Sequence, residues 1–154
     1  MPSQTMSHVI CSVALVTLIF VAQFFYVQVV NNLQAEMTRR ELKEIADYVS
    51  DTLANLYFLV NSTESDSELE KRLDLPSEIR ASSYIVEIVS SGGGSAQNVR
   101  SYLRDEPSTD ATSWLLSGLT VHPNKTCQID SGATSVLAGC RRARPDVYVW
   151  IETQ

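Results

Sequence analysis

The hydrophobic and polar positions divide the chain into an apolar beginning, an amphipathic continuation and a series of short alternating runs. No Asp, Glu, Lys or Arg precedes Glu36, and residues 9–30 (VICSVALVTLIFVAQFFYVQVV) are apolar on almost every helical face. A hydrocarbon layer about 30 Å thick is crossed by roughly 20 helical residues, which satisfy their own backbone hydrogen bonds. A core helix of a soluble protein rarely stays apolar all round for this length. The pattern therefore predicts an N-terminal segment, residues 1–8, and a transmembrane helix over residues 9–30.

The helical pattern continues beyond the predicted span. Neither Gly nor Pro occurs in residues 31–60, and apolar residues recur there every three or four positions, at Leu42, Ile45, Val49, Leu53, Leu56 and Val60. This spacing predicts an amphipathic stalk helix, joined to the span unless Asn31-Asn32 breaks it. The stripe either packs on the protein's own soluble domain or forms a seam between subunits, and we expect the first.

Residues 61–80 read as a polar linker, with a short helix at residues 67–73 that ends before Pro76. Residues 81–154 have an extended pattern, with strands predicted at 83–89, 98–104, 113–121, 133–138 and 146–152. The strand at 113–121 is either straight or bent at Gly118. The segment SSGGGS at residues 90–95 predicts a hairpin loop, and residues 126–130 are expected to pair between the third and fourth strands. The predicted fold class is α+β: a long N-terminal helix, half transmembrane and half amphipathic, carrying a small antiparallel β-sheet or sandwich head.

Three cysteines divide between the two parts of the chain. Cys11 lies inside the predicted span, whereas Cys127 and Cys140 lie late in the soluble part with twelve residues between them. A disulfide between Cys127 and Cys140 would contribute about 3 kcal/mol in the chain-entropy model if the compartment is oxidising. Zinc fits less well, because His122 is the one histidine nearby and no C-x-x-C pair is present.

The orientation in the membrane rests on opposing signals. Arg39, Arg40 and Lys43 follow the span, and by the positive-inside rule they would place the C-terminal part in the cytoplasm. Two Asn-x-Ser/Thr sequons, beginning at Asn61 and Asn124, predict glycosylation and an exterior location, and the cysteine pair agrees with them. We therefore expect the soluble part outside the cell.

Catalytic chemistry is weakly represented. The histidines are His8, before the span, and His122, beside Pro123, and no nucleophile-elbow or phosphate-loop pattern occurs. We expect no catalytic residue, no cofactor and no metal site, and thus no enzyme. A net charge of −6 argues against nucleic acid as a partner. The basic cluster Arg141, Arg142 and Arg144 is either a solvated turn before Pro145 or a surface for an acidic partner.

Two amides lie in the apolar segment, Gln23 and Gln28. An amide in lipid gains free energy by finding a hydrogen-bond partner, and a neighbouring helix offers one. Gln23 and Gln28 therefore predict association with another transmembrane helix.

The order of these elements resembles the type IV pilin superfamily, in particular archaeal pilins, archaellins and their pilin-like accessory relatives. The entry into the head, LPSEI at residues 75–79 and SYIVEI at residues 83–88, is similar to segments of archaeal pilin-like membrane proteins. The resemblance implies that the apolar helices bundle into a filament core with the heads outside. Precursors in that family carry Lys or Arg and then Gly before the apolar helix, where this chain has Thr5-Met6-Ser7-His8.

The expected function is that of a non-enzymatic, membrane-anchored surface protein of pilin-like build. Its partners would be the membrane and either copies of itself, in a filament, or other transmembrane subunits. The alternative is a bitopic accessory subunit of another membrane or envelope complex, such as a filament-motor anchor or an S-layer-associated protein, which does not polymerise.

Overall fold

A computed structural model describes residues 3–63, 66–92, 94–133 and 135–153, with side chains from His8 onward. The chain divides into two compact units, Met1–Met37 and Thr38–Gln154. Helix α1, Ser3–Ser62, forms the described part of the first unit and the beginning of the second. In the first unit every described side chain is exposed except that of Val30, which is half-buried.

The predicted apolar stripe is buried in the second unit. The exposed fractions of the stripe residues lie between 0% and 7%, and the stripe shares one hydrophobic core with residues of the strands. The residues of the stripe are Leu42, Ile45, Val49, Leu53, Leu56 and Val60. Helix α1 also continues through Asn31 and Asn32. The structure therefore confirms that the stripe packs on the protein's own soluble domain.

Eight strands follow in the described residues: β1 Glu68–Leu73, β2 Tyr84–Ser90, β3 Ala96–Leu103, β4 Asp110–Trp114, β5 Leu119–Val121, β6 Gln128–Asp130, β7 Val136–Ala143 and β8 Asp146–Thr153. They form two four-stranded sheets with the orders β1-β7-β8-β5 and β4-β3-β2-β6. Paired strands are antiparallel except β5 and β8, which are parallel. The predicted α+β class is confirmed, with one long helix followed by two sheets that contact it.

The clearest sequence patterns give the central strands. In β8, Val147, Val149 and Ile151 point into the core, as their alternation predicts. The predicted hairpin over SSGGGS is the β2–β3 pair, which loses its regular register between Val89 and Ser90. Strong alternation and a glycine-rich turn are local signals, so the sequence alone predicts strand β8 and the β2–β3 hairpin.

The short helix predicted at residues 67–73 is wrong, because this segment is strand β1. It pairs antiparallel with β7 along its whole length, from Glu68 opposite Arg141 to Leu73 opposite Val136. Leu73 is buried and Leu69 half-buried, and their spacing of four positions fits one face of a strand as well as one face of a helix, so the pattern did not distinguish the two. An isolated helix of this length is marginal, whereas the sheet satisfies the backbone at once.

Two further strand predictions are wrong. The expected strand at residues 113–121 is split into β4 and β5, which belong to different sheets, and Gly118 with φ +93° lies in the turn between them. Residues 126–130 were expected to pair between their neighbours in sequence, but β6 pairs with β2 instead.

The segment before β6 connects the two sheets. The carbonyl of Thr126 accepts a hydrogen bond from the Ile151 amide at 3.3 Å, and the carbonyl of Cys127 accepts one from the Ile88 amide at 2.7 Å. Consecutive residues thus bond to β8 in one sheet and β2 in the other. The two sheets are joined at this side.

Helix α1 covers the outer edge of β4. Lys43 Nζ donates to the Thr112 carbonyl at 2.8 Å, and Ser50 Oγ donates to the Trp114 carbonyl at 2.8 Å. An open strand edge is a template for unwanted pairing, so these side chains both satisfy the carbonyls and block the edge.

Trp150 is fully buried although it lies on the face of β8 opposite the core valines. It sits across from Gly139 of β7, where a Cβ atom would overlap the indole ring. Lys125 Nζ lies 4.1 Å from the ring centroid, and the His122 ring lies 5.4 Å away. Lys125 forms ion pairs with Glu70 at 3.1 Å and Glu152 at 3.2 Å. The indole therefore packs against a glycine and a cation.

Gly139→Ala should destabilise the second unit by about 1–3 kcal/mol, the usual cost of overpacking, because the new methyl group displaces the indole of Trp150. The matched control is Gly132→Ala, where the nearest atom to a new Cβ is Asp130 Oδ1 at 3.9 Å. We expect the control to change stability by no more than about 0.5 kcal/mol. Equal unfolding free energies for the two variants in denaturant titrations would contradict this packing.

Candidate functional site

The first unit presents an apolar helical surface that no described residue covers. Apolar side chains are exposed on every side of the helix between Val9 and Met37, and the exposed fraction reaches 66% at Phe20 and 71% at Tyr26. Contiguous apolar surface on this scale marks a membrane or protein interaction site. This part of α1 is long and apolar enough to cross a membrane or to act as a signal sequence.

Small hydroxyl groups within this surface are satisfied by the helix itself. Ser12 Oγ donates to the His8 carbonyl at 2.8 Å, and Thr17 Oγ1 donates to the Val13 carbonyl at 2.8 Å. Such bonds remove the cost of placing a hydroxyl in lipid. Both residues are therefore compatible with an apolar surrounding.

Gln23 and Gln28 differ from these hydroxyls. Both are exposed, and within the described part of the chain neither amide has a hydrogen-bond partner. The two residues are five positions apart, which turns their side chains about 140° apart around the helix. The two amides thus point to different sides of the helix.

The predicted disulfide is not formed, because Cys127 and Cys140 are both free thiols. Cys140 is buried in β7 opposite Val149, whereas Cys127 precedes β6, which pairs in the other sheet. The Cys127 Sγ lies 3.7 Å from the Lys125 carbonyl. Burial raises the pKa of both thiols, to about 11 at Cys140. The spacing of the two cysteines did not reveal that they belong to different layers.

Unfolding the full chain in denaturant without reductant should expose three titratable thiols, since the sequence has three cysteines. In the folded protein near pH 8, Cys140 should be unreactive because its pKa of about 11 leaves almost no thiolate. The control is the same titration after reduction, which should give the same number. One titratable thiol without reductant and three with reductant would show that Cys127 and Cys140 do form a disulfide.

Both sequons lie at the surface of the second unit. Asn61 is exposed in the last turn of α1, and Asn124 is exposed in the turn after β5. The backbone amide of Asn124 donates to His122 Nδ1 at 3.2 Å, and Thr126 Oγ1 of the same sequon donates to the Ile151 carbonyl at 3.2 Å. The two acceptor sites are reachable, and their glycosylation stays a prediction.

The basic cluster has a structural task that the sequence did not reveal. Arg142 Nη1 donates to the carbonyls of Asn61 at 3.1 Å and Thr63 at 2.7 Å, which closes the C-terminus of α1. A cation there also opposes the negative end of the helix dipole. Arg141 lies 3.9 Å from Glu68, and Arg144 lies in the β7–β8 turn before the cis Pro145. Arg142 thus caps the helix, whereas Arg144 belongs to a turn.

The histidine of the second unit lies against aromatic side chains. His122 makes ring contacts with Tyr148 at 5.7 Å and Trp150 at 5.4 Å. Among the described residues, no group of three or more His, Cys, Asp or Glu side chains is placed to hold a metal ion.

A groove of about 310 Å³ lies between α1 and the segment at residues 74–79. The buried Ile45 and Ile79 form its base, and four carboxylates line it: Glu41, Glu44, Asp74 and Glu78. We call it the acidic groove. The sequence did not reveal it, because its two walls are thirty residues apart along the chain.

The wall formed by residues 74–79 is held firmly. Tyr84 Oη donates to the Pro76 carbonyl at 2.5 Å, and burial raises the pKa of this phenol to about 12. A tight turn follows, in which Ile79 and Ser82 exchange hydrogen bonds of 3.0 and 2.9 Å. Its central residues, Arg80 and Ala81, have φ values of 50° and 63°, which are costly for residues other than glycine. The groove is therefore preformed.

Comparison of the chain with models of protein families, with characterised proteins and with solved structures finds no match. The likeness to pilins is accordingly one of architecture: a long N-terminal helix, apolar in the first unit, whose continuation packs against β-sheets in the second.

Proposed function

We propose that this chain is a non-enzymatic, membrane-anchored surface protein of pilin-like build. The first unit inserts in a bilayer, and the second unit is presented outside the cell. Copies associate through their apolar helices, as filament subunits do. The observation that carries the proposal is the exposed helical surface between Val9 and Met37, which has no cover among the described residues.

Length and charge support insertion. Between His8 and Glu36 the helix carries no charged side chain, and about 27 residues at about 1.5 Å each give roughly 40 Å, more than the roughly 30 Å of the hydrocarbon layer. The surplus accommodates tilt or the interfacial region. Charged residues begin at Glu36, where water or headgroups would meet the helix.

The use of the amphipathic stripe supports assembly through the first unit. The six apolar residues of the stripe, from Leu42 to Val60, are already buried against the protein's own sheets, so this stripe is not available as a seam between subunits. Gln23 and Gln28, in contrast, lack partners among the described residues and point to different sides. Two such amides favour contacts with more than one neighbouring helix.

Membrane insertion is tested by placing arginines in the helix. Leu18→Arg with Val21→Arg should release the full chain from membranes under carbonate extraction, because each arginine near the centre costs about 2.5–3.5 kcal/mol of insertion free energy. The control, Asn55→Arg with Gln97→Arg, adds the same charge at exposed positions of the second unit. A wild-type chain that is freely soluble without detergent would refute the proposal.

Association within the membrane is tested at Gln23. Gln23→Leu should weaken self-association in lipid vesicles by roughly 3–30-fold, since an interhelical hydrogen bond in a bilayer is worth about 0.6–2 kcal/mol. Energy transfer between two labelled populations of the full chain measures this, and Ile19→Leu serves as the apolar control. Self-association that is unchanged in Gln23→Leu would contradict the role of the amide. Fixed-stoichiometry copurification with unlike subunits, and no self-association, would select the accessory-subunit alternative.

A further inference from the structure

The acidic groove holds carboxylates that lack an ion pair within the described part of the chain. Of its four carboxylates, Glu41 forms an ion pair with Arg80, with 3.5 Å between Oε1 and Nε. Glu44, Asp74 and Glu78 have no ion-pair partner in the described ranges. The exposed carboxylates surround an apolar base of buried isoleucines. This combination suits a long cationic side chain, whose stem covers apolar surface and whose head reaches carboxylates.

A suitable cation lies on the opposite side of the same helix. Arg39 is exposed and has no ion-pair partner among the described side chains. It precedes Glu41 by two residues and Tyr48 by nine, which places it about 180–200° around the helix from these groove residues. Arg39 shares its side with Lys43 and Ser50, which bond to β4. Arg39 therefore lies on the side of α1 away from the acidic groove, near Lys43, which is already paired with Asp47 at 2.7 Å.

Anchoring in a membrane brings these two sides to the same level in neighbouring copies. Chains inserted in one direction share their depth, and the groove residues of α1 lie only about 3–14 Å beyond Arg39 along the helix axis at about 1.5 Å per residue. A neighbour placed on the β4 side therefore offers its acidic groove at the height of Arg39. The same side carries Trp114, whose exposed fraction of 77% marks it as an aromatic available for contact.

We propose that Arg39 of one copy binds in the acidic groove of the next copy. The inference rests on the proposed assembly of membrane-anchored copies and specifies their contact above the lipid. Because donor and acceptor surfaces lie on opposite sides of α1, the contact is heterologous. After one such contact, the first copy still has a free acidic groove and the second copy still has a free Arg39. The contact therefore propagates into a ring or a filament rather than closing a two-fold dimer.

The test is a reciprocal charge reversal in the full chain. Arg39→Glu makes the donor acidic, and Glu44→Arg with Asp74→Arg makes the groove basic. Each variant alone should lose at least roughly tenfold in self-association, because like charges then face each other. An equal mixture of the two should recover association, since every contact between unlike copies becomes complementary again. The matched control for Arg39→Glu is the single variant Lys71→Glu. The control for the groove variant is the double variant Asp105→Arg with Glu106→Arg. Both make the same charge changes elsewhere on the exposed surface.

Energy transfer between labelled populations in lipid vesicles reports association, and circular dichroism confirms that each variant is folded. Loss in each variant, recovery in the mixture and no loss in the controls would support the contact. Association that is equal in wild type and variants, or a mixture that fails to recover, would overturn it while leaving the proposed assembly intact. Absence of association already in the wild-type chain would instead refute the assembly and the contact together.

Discussion

The burial of one face of α1 against two sheets is the interaction on which the second unit depends. A buried Leu, Ile or Val side chain stabilises a fold by about 1.5–3 kcal/mol relative to its exposed state, and the stripe from Leu42 to Val60 supplies six of them to one core. The same contact fixes the helix where Lys43 and Ser50 reach the open edge of β4. Without the helix, the sheet β4-β3-β2-β6 would expose both its core face and this edge. The helix is thus a structural member of the domain that follows it.

The same helix has no such cover in its first unit, and this contrast explains the proposed function. Water would hydrate the exposed apolar side chains unfavourably, so a bilayer or neighbouring helices are the surroundings in which this surface is stable. Local bonds of Ser12 and Thr17 make them compatible with lipid, whereas Gln23 and Gln28 keep unused hydrogen-bonding groups. In the proposed function, insertion and association therefore draw on different residues of one segment.

The parts that the sequence predicted are those with strong local signals. Helical spacing identified the stripe of α1, and alternation with a glycine-rich turn identified β2, β3 and β8. The wrong predictions concern segments whose structure depends on pairing with strands far away in the sequence. Residues 67–73 become a strand because β7 offers them a full set of partners, and Gly118 separates two strands that read as one run. The thiols of Cys127 and Cys140 and the cap formed by Arg142 likewise depend on which layer each residue joins, which spacing alone does not encode.

Apolar contact in lipid is a poor source of order by itself, because lipid tails and apolar side chains offer similar surroundings and the attraction has little direction. A defined assembly needs groups that distinguish one arrangement from its alternatives, and charges above the membrane do this through attraction to the right partner and repulsion of the wrong one. The proposed contact at the acidic groove would meet this need, because the wall at residues 74–79 is preformed: Tyr84 donates to the Pro76 carbonyl, and the tight turn at Arg80 and Ala81 follows directly. The positive φ values of that turn cost free energy in folding. In the proposed assembly, the apolar helix supplies affinity and the groove supplies register.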